Sequence, residues 1–246
     1  MRRGVIPSRR STGGAGRGEE SPADGAISIQ RPRARYRLVF FDVDSTLVTI
    51  EGIDVLGKGN AEVVRLTQAA MNGEIPLGEV YGRRLEMIRP SRDAVERLAQ
   101  NYLASLVEGA EKTVQALRAA GAEVHLITAG IRQAVEPLAL RLGLEPRAVH
   151  AVALHFSDDG EYADFDRRSF LTRGGGKEVM VRDVRARSHG SAAMIGDGVS
   201  DLEAKPAVDL FIGFGGVTVR EKVKQNADVY IEDSSLTAVL PHLLEE

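Results

Sequence analysis

Short, unbroken apolar runs recur along the chain, each stopping at polar or glycine residues. Leu38-Val39-Phe40-Phe41 ends at Asp42, and Val124-His125-Leu126-Ile127 follows Gly121 and ends at Thr128. Ala192-Ala193-Met194-Ile195 ends at Gly196-Asp197, Leu210-Phe211-Ile212 ends at Gly213, and Val229-Tyr230-Ile231 completes the set. Apolar runs of this length without polar alternation predict strands, the first of them buried on both faces. Between them, apolar residues return at helical spacing. Val114, Leu117 and Ala120 share one face, Val135, Leu138 and Leu142 share another, and Lys177–Arg187 has helical length. Strands alternating with helices predict an α/β fold around a parallel sheet.

Two stretches depart from this alternation. From Glu51 to about Leu106 there are helix-like segments, Ala61–Met71 and Arg92–Leu106, and no good strand. This predicts a helical cap inserted after the first strand. Val152–Phe156 and Glu161–Phe165 flank Ser157-Asp158-Asp159-Gly160, which predicts a β-hairpin turning at Asp-Gly. The expected organisation is a leader over 1–34, a core formed by 35–50 and 107–246, and a cap over 51–106.

The leader is set apart by composition. Residues 1–35 hold eight arginines against three acids, and Ser8–Gly25 is mostly Ser, Gly, Ala, Arg and Pro without apolar periodicity. Such a segment buries too little to offset its ordering entropy and is expected to be disordered. The acids argue against a transit peptide, and no apolar stretch suits a secretory signal. Across 246 residues the net charge is -3, which argues against a general nucleic-acid binder. No run is long enough to span a membrane. The chain has no cysteine, so disulfides, cysteine–zinc sites and thiol nucleophiles are out, and a reducing, cytoplasmic setting fits.

The ends of the predicted strands carry the chemistry. In open parallel sheets, ligands bind outside the carboxyl ends of the strands. Here those ends present Asp42 and Asp44, then Thr128-Ala129-Gly130, then Asp197 and Asp201, while Lys177 follows Gly174-Gly175-Gly176 at a helix start. Taken singly, Asp-x-Asp is often a turn and Gly-Asp-Gly is a common loop. Thr128 alone would cap a helix, and Lys177 alone would be a surface lysine. Their joint occurrence at strand ends and one helix start is much less common by chance. Four clustered carboxylates repel one another unless a cation joins them. An all-oxygen set that also takes phosphate suits Mg²⁺. Thr128, the backbone N–H groups beyond it and Lys177 can then hold phosphoryl oxygens. Other chemistries fit less well. Leu171 occupies the first Gly position of a P-loop, the Gly213–Gly216 run lacks dinucleotide spacing, and the five histidines lack metal-ligand spacing.

Asp42–Thr46, Thr128, Lys177 and Gly196–Asp201 resemble the four motifs of haloacid dehalogenase superfamily phosphohydrolases. Within that superfamily the chain is similar to the phosphoserine phosphatases. Phe41–Asp54 reads FDVDSTLVTIEGID; Met71, Pro76, Arg84-Leu85 and Pro90-Ser91-Arg92 match the cap, and Gly160–Asp166, Gly175–Lys177 and Met194–Gly216 match beyond it. The resemblance implies a Rossmann-like core with a small helical cap. It implies that Asp42 is the nucleophile and Asp44 the acid and base. It implies that Asp42, the backbone carbonyl of Asp44 and Asp197 bind Mg²⁺, with Asp201 supporting them. Thr128, Ala129 and Lys177 would hold phosphate, Glu51 the ammonium and Arg84 the carboxylate of O-phospho-L-serine, in the last step of serine synthesis, in a monomer or homodimer. The sequence departs from the commoner pattern at Ala129, Ile50, Leu77 and Val217. Two other readings stay open: the same chemistry on another small phosphomonoester or acceptor, and a catalytically silent binder of a phosphorylated ligand.

Overall fold

Leu38–Phe41 forms strand β1, and all four side chains are fully buried. The computed structural model describes residues 32–245, and β1 runs through the middle of its six-stranded sheet. The other strands of the sheet are β2 (Glu123–Ile131), β3 (Val149–Val152), β6 (Ala192–Gly196), β7 (Leu210–Phe214) and β8 (Val229–Ile231). Their order is β3-β2-β1-β6-β7-β8, and every pair is parallel. Numbered within the sheet, this is the order 3-2-1-4-5-6 of a Rossmann-like fold. The chain progresses outward from β1 on one side, then returns and progresses outward on the other. The switch lies between β1 and β6, where Phe41 pairs with Ile195.

Helices flank the sheet because each strand of this length must cross over to reach a parallel partner. Between β1 and β2 lie α1 (Gly52–Leu56), α2 (Ala61–Met71), α3 (Leu77–Ile88), α4 (Arg92–Ala104) and α5 (Ala110–Ala119). The Asn60 side chain caps α2 by accepting from Glu62 N and Val63 N, and Ser91 caps α4 by accepting from Ala94 N. The apolar positions of these helices point inward. Leu66, Leu85, Leu98 and Tyr102 are almost completely buried. Helix α6 (Arg132–Arg141) buries Val135 and Leu138, and α7 (Gly176–Ser188) buries Val181 and Val184.

The structure alters several boundaries. Val149–Val152 is a separate parallel strand, β3, at the sheet edge, so Val152 is not part of the hairpin. The hairpin is β4 (Leu154–Phe156) with β5 (Tyr162–Phe165), and it turns through Asp158–Gly160. Strand β2 does not stop at Thr128 but continues to Ile131, with a register shift against β3 beyond Ile127. Thr128 is therefore inside a strand and not at a helix start. Most of the expected leader lies outside the described residues. Ala34, the last residue of that expected leader, already bridges Leu244. Ala120 ends α5 half-exposed, whereas Val114 and Leu117 are fully buried.

The hairpin meets the turn between α3 and α4. Arg92 N donates to Gly160 O at 2.8 Å, Arg89 Nη2 donates to Tyr162 O at 3.0 Å, and Tyr81 meets Phe165 edge-on. The inserted helices are thus fastened over the carboxyl ends of β1 and β2.

Candidate active site

Asp42 is the first residue beyond β1, and its N–H still donates to Ile195 O across the switch point. The chain then turns back on itself, with Thr46 and Leu47 N–H groups returning to Val43 O. Ser45 takes a left-handed backbone (φ 54°) in this turn, a costly conformation for a residue with a Cβ. Its hydroxyl donates to Glu51 Oε1 at 2.6 Å, which ties the turn to the start of α1. Asp44 points the same way: its Oδ1 accepts from Gly52 N at 2.9 Å and from Tyr102 Oη at 2.7 Å.

The second acidic pair follows β6. Asp197 is the next residue, and a short helix, α8 (Val199–Leu202), carries Asp201 back beneath Gly196. A Cβ at position 196 would come within 2.3 Å of Asp201 Cγ, so glycine is what permits this return. Asp201 Oδ2 accepts from Gly198 N at 2.9 Å. Lys177, in the first turn of α7, sets its ammonium 2.7 Å from Asp42 Oδ1 and 2.5 Å from Asp201 Oδ1. Asp197 is held by Thr46 Oγ1 at 3.2 Å and by Arg220 Nε at 3.0 Å.

Asp42, Asp44, Glu51, Arg84, Thr128, Ala129 and Lys177 line one cavity between the sheet edge and the inserted helices. Asp197 and Asp201 are not in its wall, but oxygens of Asp42, Asp197 and Asp201 all lie within 4.8 Å of one another. The side chain of Asp44 is outside that carboxylate group, turned to Tyr102 and Gly52. Thr128 Oγ1 accepts from Gly130 N at 2.8 Å, which leaves its hydrogen to donate. Ala129 O accepts from Tyr81 Oη at 2.9 Å. Arg84 is buried, with Nη1 on Thr67 Oγ1 at 3.1 Å and Nε without a partner.

Arg220, Tyr102 and Ser45 belong to the same arrangement and are not singled out by the sequence. Arg220 reaches Asp197 on the sheet side, Gln68 and Asn72 on α2 and its C-cap, and stands 3.7 Å from Glu51. No spacing signal marks it. Tyr102 reads as one more apolar position of an amphipathic helix. Ser45 carries a weak signal, since it lies between Asp44 and Thr46 in the motif.

Burial sets the electrostatics. It pushes Asp44 up to about 7, with Asp42 adding to the rise and Tyr102, Gly52 and Lys177 opposing it. Burial and then Asp42 push Asp197 up to about 6, against Arg220 and Lys177. Glu51 and Asp201 are raised well above ordinary carboxylates, chiefly by burial. Burial disfavours the Lys177 charge, but Asp201 and Asp42 outweigh it and hold the ammonium protonated. The set therefore gathers five carboxyl groups around three buried cations, Lys177, Arg84 and Arg220, and burial favours the neutral form of Asp44, Glu51, Asp197 and Asp201 unless further positive charge joins them. A divalent cation fits the donor chemistry: clustered carboxylate oxygens and no nitrogen or sulfur donor among them.

The profile of haloacid dehalogenase-like hydrolases matches residues 39–204. A phosphoserine phosphatase of Mus musculus is 41% identical over 199 residues, covering 79% of this chain and 88% of the relative. The chain belongs to the phosphoserine phosphatase family of haloacid dehalogenase-like hydrolases. The chloroplastic phosphoserine phosphatase of Arabidopsis thaliana is 42% identical over 197 residues, 77% of this chain and 66% of that one. Among solved structures, a substrate-bound phosphoserine phosphatase complex superposes with a TM-score of 0.74 at 25% identity, covering 84% of this chain and 97% of the other. A phospho-aspartyl intermediate analogue of phosphoserine phosphatase gives the same TM-score and identity over 84% and 98%. Enzymes of this family use a divalent metal, in keeping with the carboxylate cluster. Among the described residues, no helix is long and apolar enough to cross a membrane.

Proposed function

We propose that this chain hydrolyses O-phospho-L-serine to L-serine and phosphate, with Mg²⁺, through an aspartyl-phosphate on Asp42. The observation that carries this reading is the buried Lys177 ammonium bridging Asp42 and Asp201 beside Asp197, at the floor of a cavity that also holds Thr128, Glu51 and Arg84. The phospho-aspartyl analogue among the structural relatives supports the same chemistry.

An Asp42 oxygen attacks phosphorus, and the bond from phosphorus to the serine oxygen breaks. Asp44 gives its proton to that departing oxygen. Water then attacks the phosphorus of the acyl phosphate, Asp44 takes the proton, and phosphate leaves with Asp42 restored as a carboxylate. One carboxyl serves both steps because they move the proton in opposite directions. A group titrating at about 7 is suited to both roles. Lys177 holds Asp42 in place and neutralises part of the incoming phosphoryl charge, and Thr128 with backbone N–H groups near Ala129 donates to its oxygens.

Asp42, Asp197 and the backbone carbonyl of Asp44 would hold the magnesium, which offsets the repulsion between phosphate and carboxylate. Asp201 supports them from behind, since both its oxygens are engaged by Lys177 and Gly198. Glu51 takes the ammonium of the substrate, and Arg84 takes the carboxylate through its planar fork.

Phosphate release from O-phosphoserine and a panel of other small phosphate esters, each with and without Mg²⁺, tests the reading. Magnesium-dependent release with O-phosphoserine far ahead of the rest is expected. Equal rates across the panel would move the assignment to a general phosphomonoesterase, and no release from any ester would leave a binding protein.

A further inference from the structure

The two oxygens of Asp44 are not equivalent. Oδ1 accepts both Gly52 N and Tyr102 Oη, at 2.9 and 2.7 Å. Oδ2 lies on the side of Thr128 and Gly130: a Cβ on residue 130 would be 3.1 Å from Thr128 Oγ1 and 3.3 Å from Asp44 Oδ2. That is the side on which phosphoryl donors gather.

Both groups that pin Oδ1 come from the inserted helices, whereas Asp44 sits on the turn after β1. Tyr102 is fully buried in the last turn of α4, and Gly52 opens α1. The phenol reaches the carboxylate only because residue 52 has no side chain, since a Cβ there would lie 2.1 Å from Tyr102 Oη. Burial, and then the neighbouring Asp44 carboxylate, push the phenol's pKa well above its ordinary value, so it stays protonated and donates.

We infer that Tyr102 is a positioning residue for Asp44: by fixing Oδ1 it presents Oδ2 to the departing serine oxygen and, in the second half-reaction, to the attacking water. The inference rests on the acid–base reading of Asp44 given above. It follows that Tyr102 matters where a proton must be moved at that oxygen and not where the leaving group departs without one. An alkoxide such as that of serine needs the proton. A nitrophenolate does not.

The test uses the full chain with added Mg²⁺ and compares wild type, Tyr102→Phe and Asp44→Asn on O-phosphoserine and p-nitrophenyl phosphate. For Tyr102→Phe, kcat on O-phosphoserine is expected to fall about tenfold or more, with KM within about twofold of wild type. The rate constant of the first-turnover burst of nitrophenolate is expected to stay at the wild-type value, while the following steady state slows because water attack still needs the base. The burst amplitude counts folded, phosphorylatable molecules. If Tyr102→Phe gives no burst, Gly52→Ala displaces the phenol independently and must show the same split. An unchanged kcat on O-phosphoserine, an equal loss in burst and phosphoserine turnover, or an effect confined to KM overturns the inference. Asp44→Asn separates the two levels. If it stops phosphoserine turnover while Tyr102→Phe does not, the positioning role alone fails. If Asp44→Asn turns over phosphoserine at the wild-type rate, the acid–base reading fails and the positioning role falls with it.

Discussion

The Lys177 ammonium stands 2.7 Å from Asp42 Oδ1, with the two side chains only 5% and 4% exposed. Removing one partner from such a buried pair leaves the other charge without compensation, at a cost of about 3–5 kcal/mol. Lys177→Met is expected to lower stability by that order in urea unfolding. It should also cut turnover by about 10²–10³, the usual loss when a preorganised donor to a reacting group is deleted. Near-wild-type turnover in a folded Lys177→Met protein would contradict the role given to Lys177.

Arg84 has a buried Nε with no partner, an arrangement that costs free energy unless a ligand completes it. Hydrogen bonds to charged groups contribute about 1.5–3 kcal/mol, which corresponds to about 10–100-fold in affinity. Arg84→Ala is therefore expected to raise KM for O-phosphoserine by that factor and to spare phosphate esters that lack a carboxylate. Steady-state kinetics on both substrate types checks it, and equal losses would remove Arg84 from substrate selection.

Chelation should act on both rate and stability. The acids around Asp42 are buried together, and a bound divalent cation relieves their repulsion. Full loss of activity in EDTA, with recovery on adding Mg²⁺, is the expected outcome. A cation at about 100 times its dissociation constant also adds about 2.7 kcal/mol, visible as a rise in Tm. Activity that survives exhaustive chelation would exclude the metal from the reaction.

His150 on β3 lies with Nε2 3.2 Å from His125 Nδ1 on β2. Burial, then His125 and nearby arginines, depresses His150 to about 4. The unfolded chain takes up this proton near 6.5, so the contribution is complete above that pH. It is lost progressively as pH falls from about 6.5 towards 4. At about 1.4 kcal/mol per pH unit between those limits, the total is about 3–4 kcal/mol. Unfolding free energies of wild type and His150→Leu measured from pH 7.5 to 4.5 check this. The difference between them should change with pH over that window and be flat above it, whereas parallel curves throughout would refute it.

The fold was legible where an uninterrupted apolar run stood between polar or glycine residues. Leu38–Phe41 and Ala192–Ile195 have no polar residue to interrupt them, because the environment tolerates none. Val149–Val152 escaped because it is a four-residue edge strand, contains His150, and runs almost directly into the hairpin. The end of β2 was misplaced because Thr128-Ala129-Gly130 looks like a loop, yet these residues remain extended on the way to Ile131.

The carboxylates and Lys177 could be found because each stands at a strand end or helix start, positions that the apolar runs themselves mark. Tyr102 could not, because an aromatic on the inner face of an amphipathic helix has the same appearance whether it packs or donates. Its partner is 58 residues away. Arg220 is similarly hidden, as only the folded chain shows that a loop after β7 returns to Asp197 and α2.

In the proposed reading, Glu51 and Arg84, between β1 and β2, choose the substrate, while the strand ends supply the groups for phosphoryl chemistry. A chimaera that exchanges this insertion for that of a relative would be expected to change which ester is accepted. If Tyr102 positions Asp44 as inferred above, their bond limits such grafts: a donor segment without its own hydroxyl or amide at that spot would bring new recognition but leave the Asp44 carboxyl slack. Segment swapping in this scaffold is therefore best judged on alkyl esters, because activated aryl esters would hide the defect.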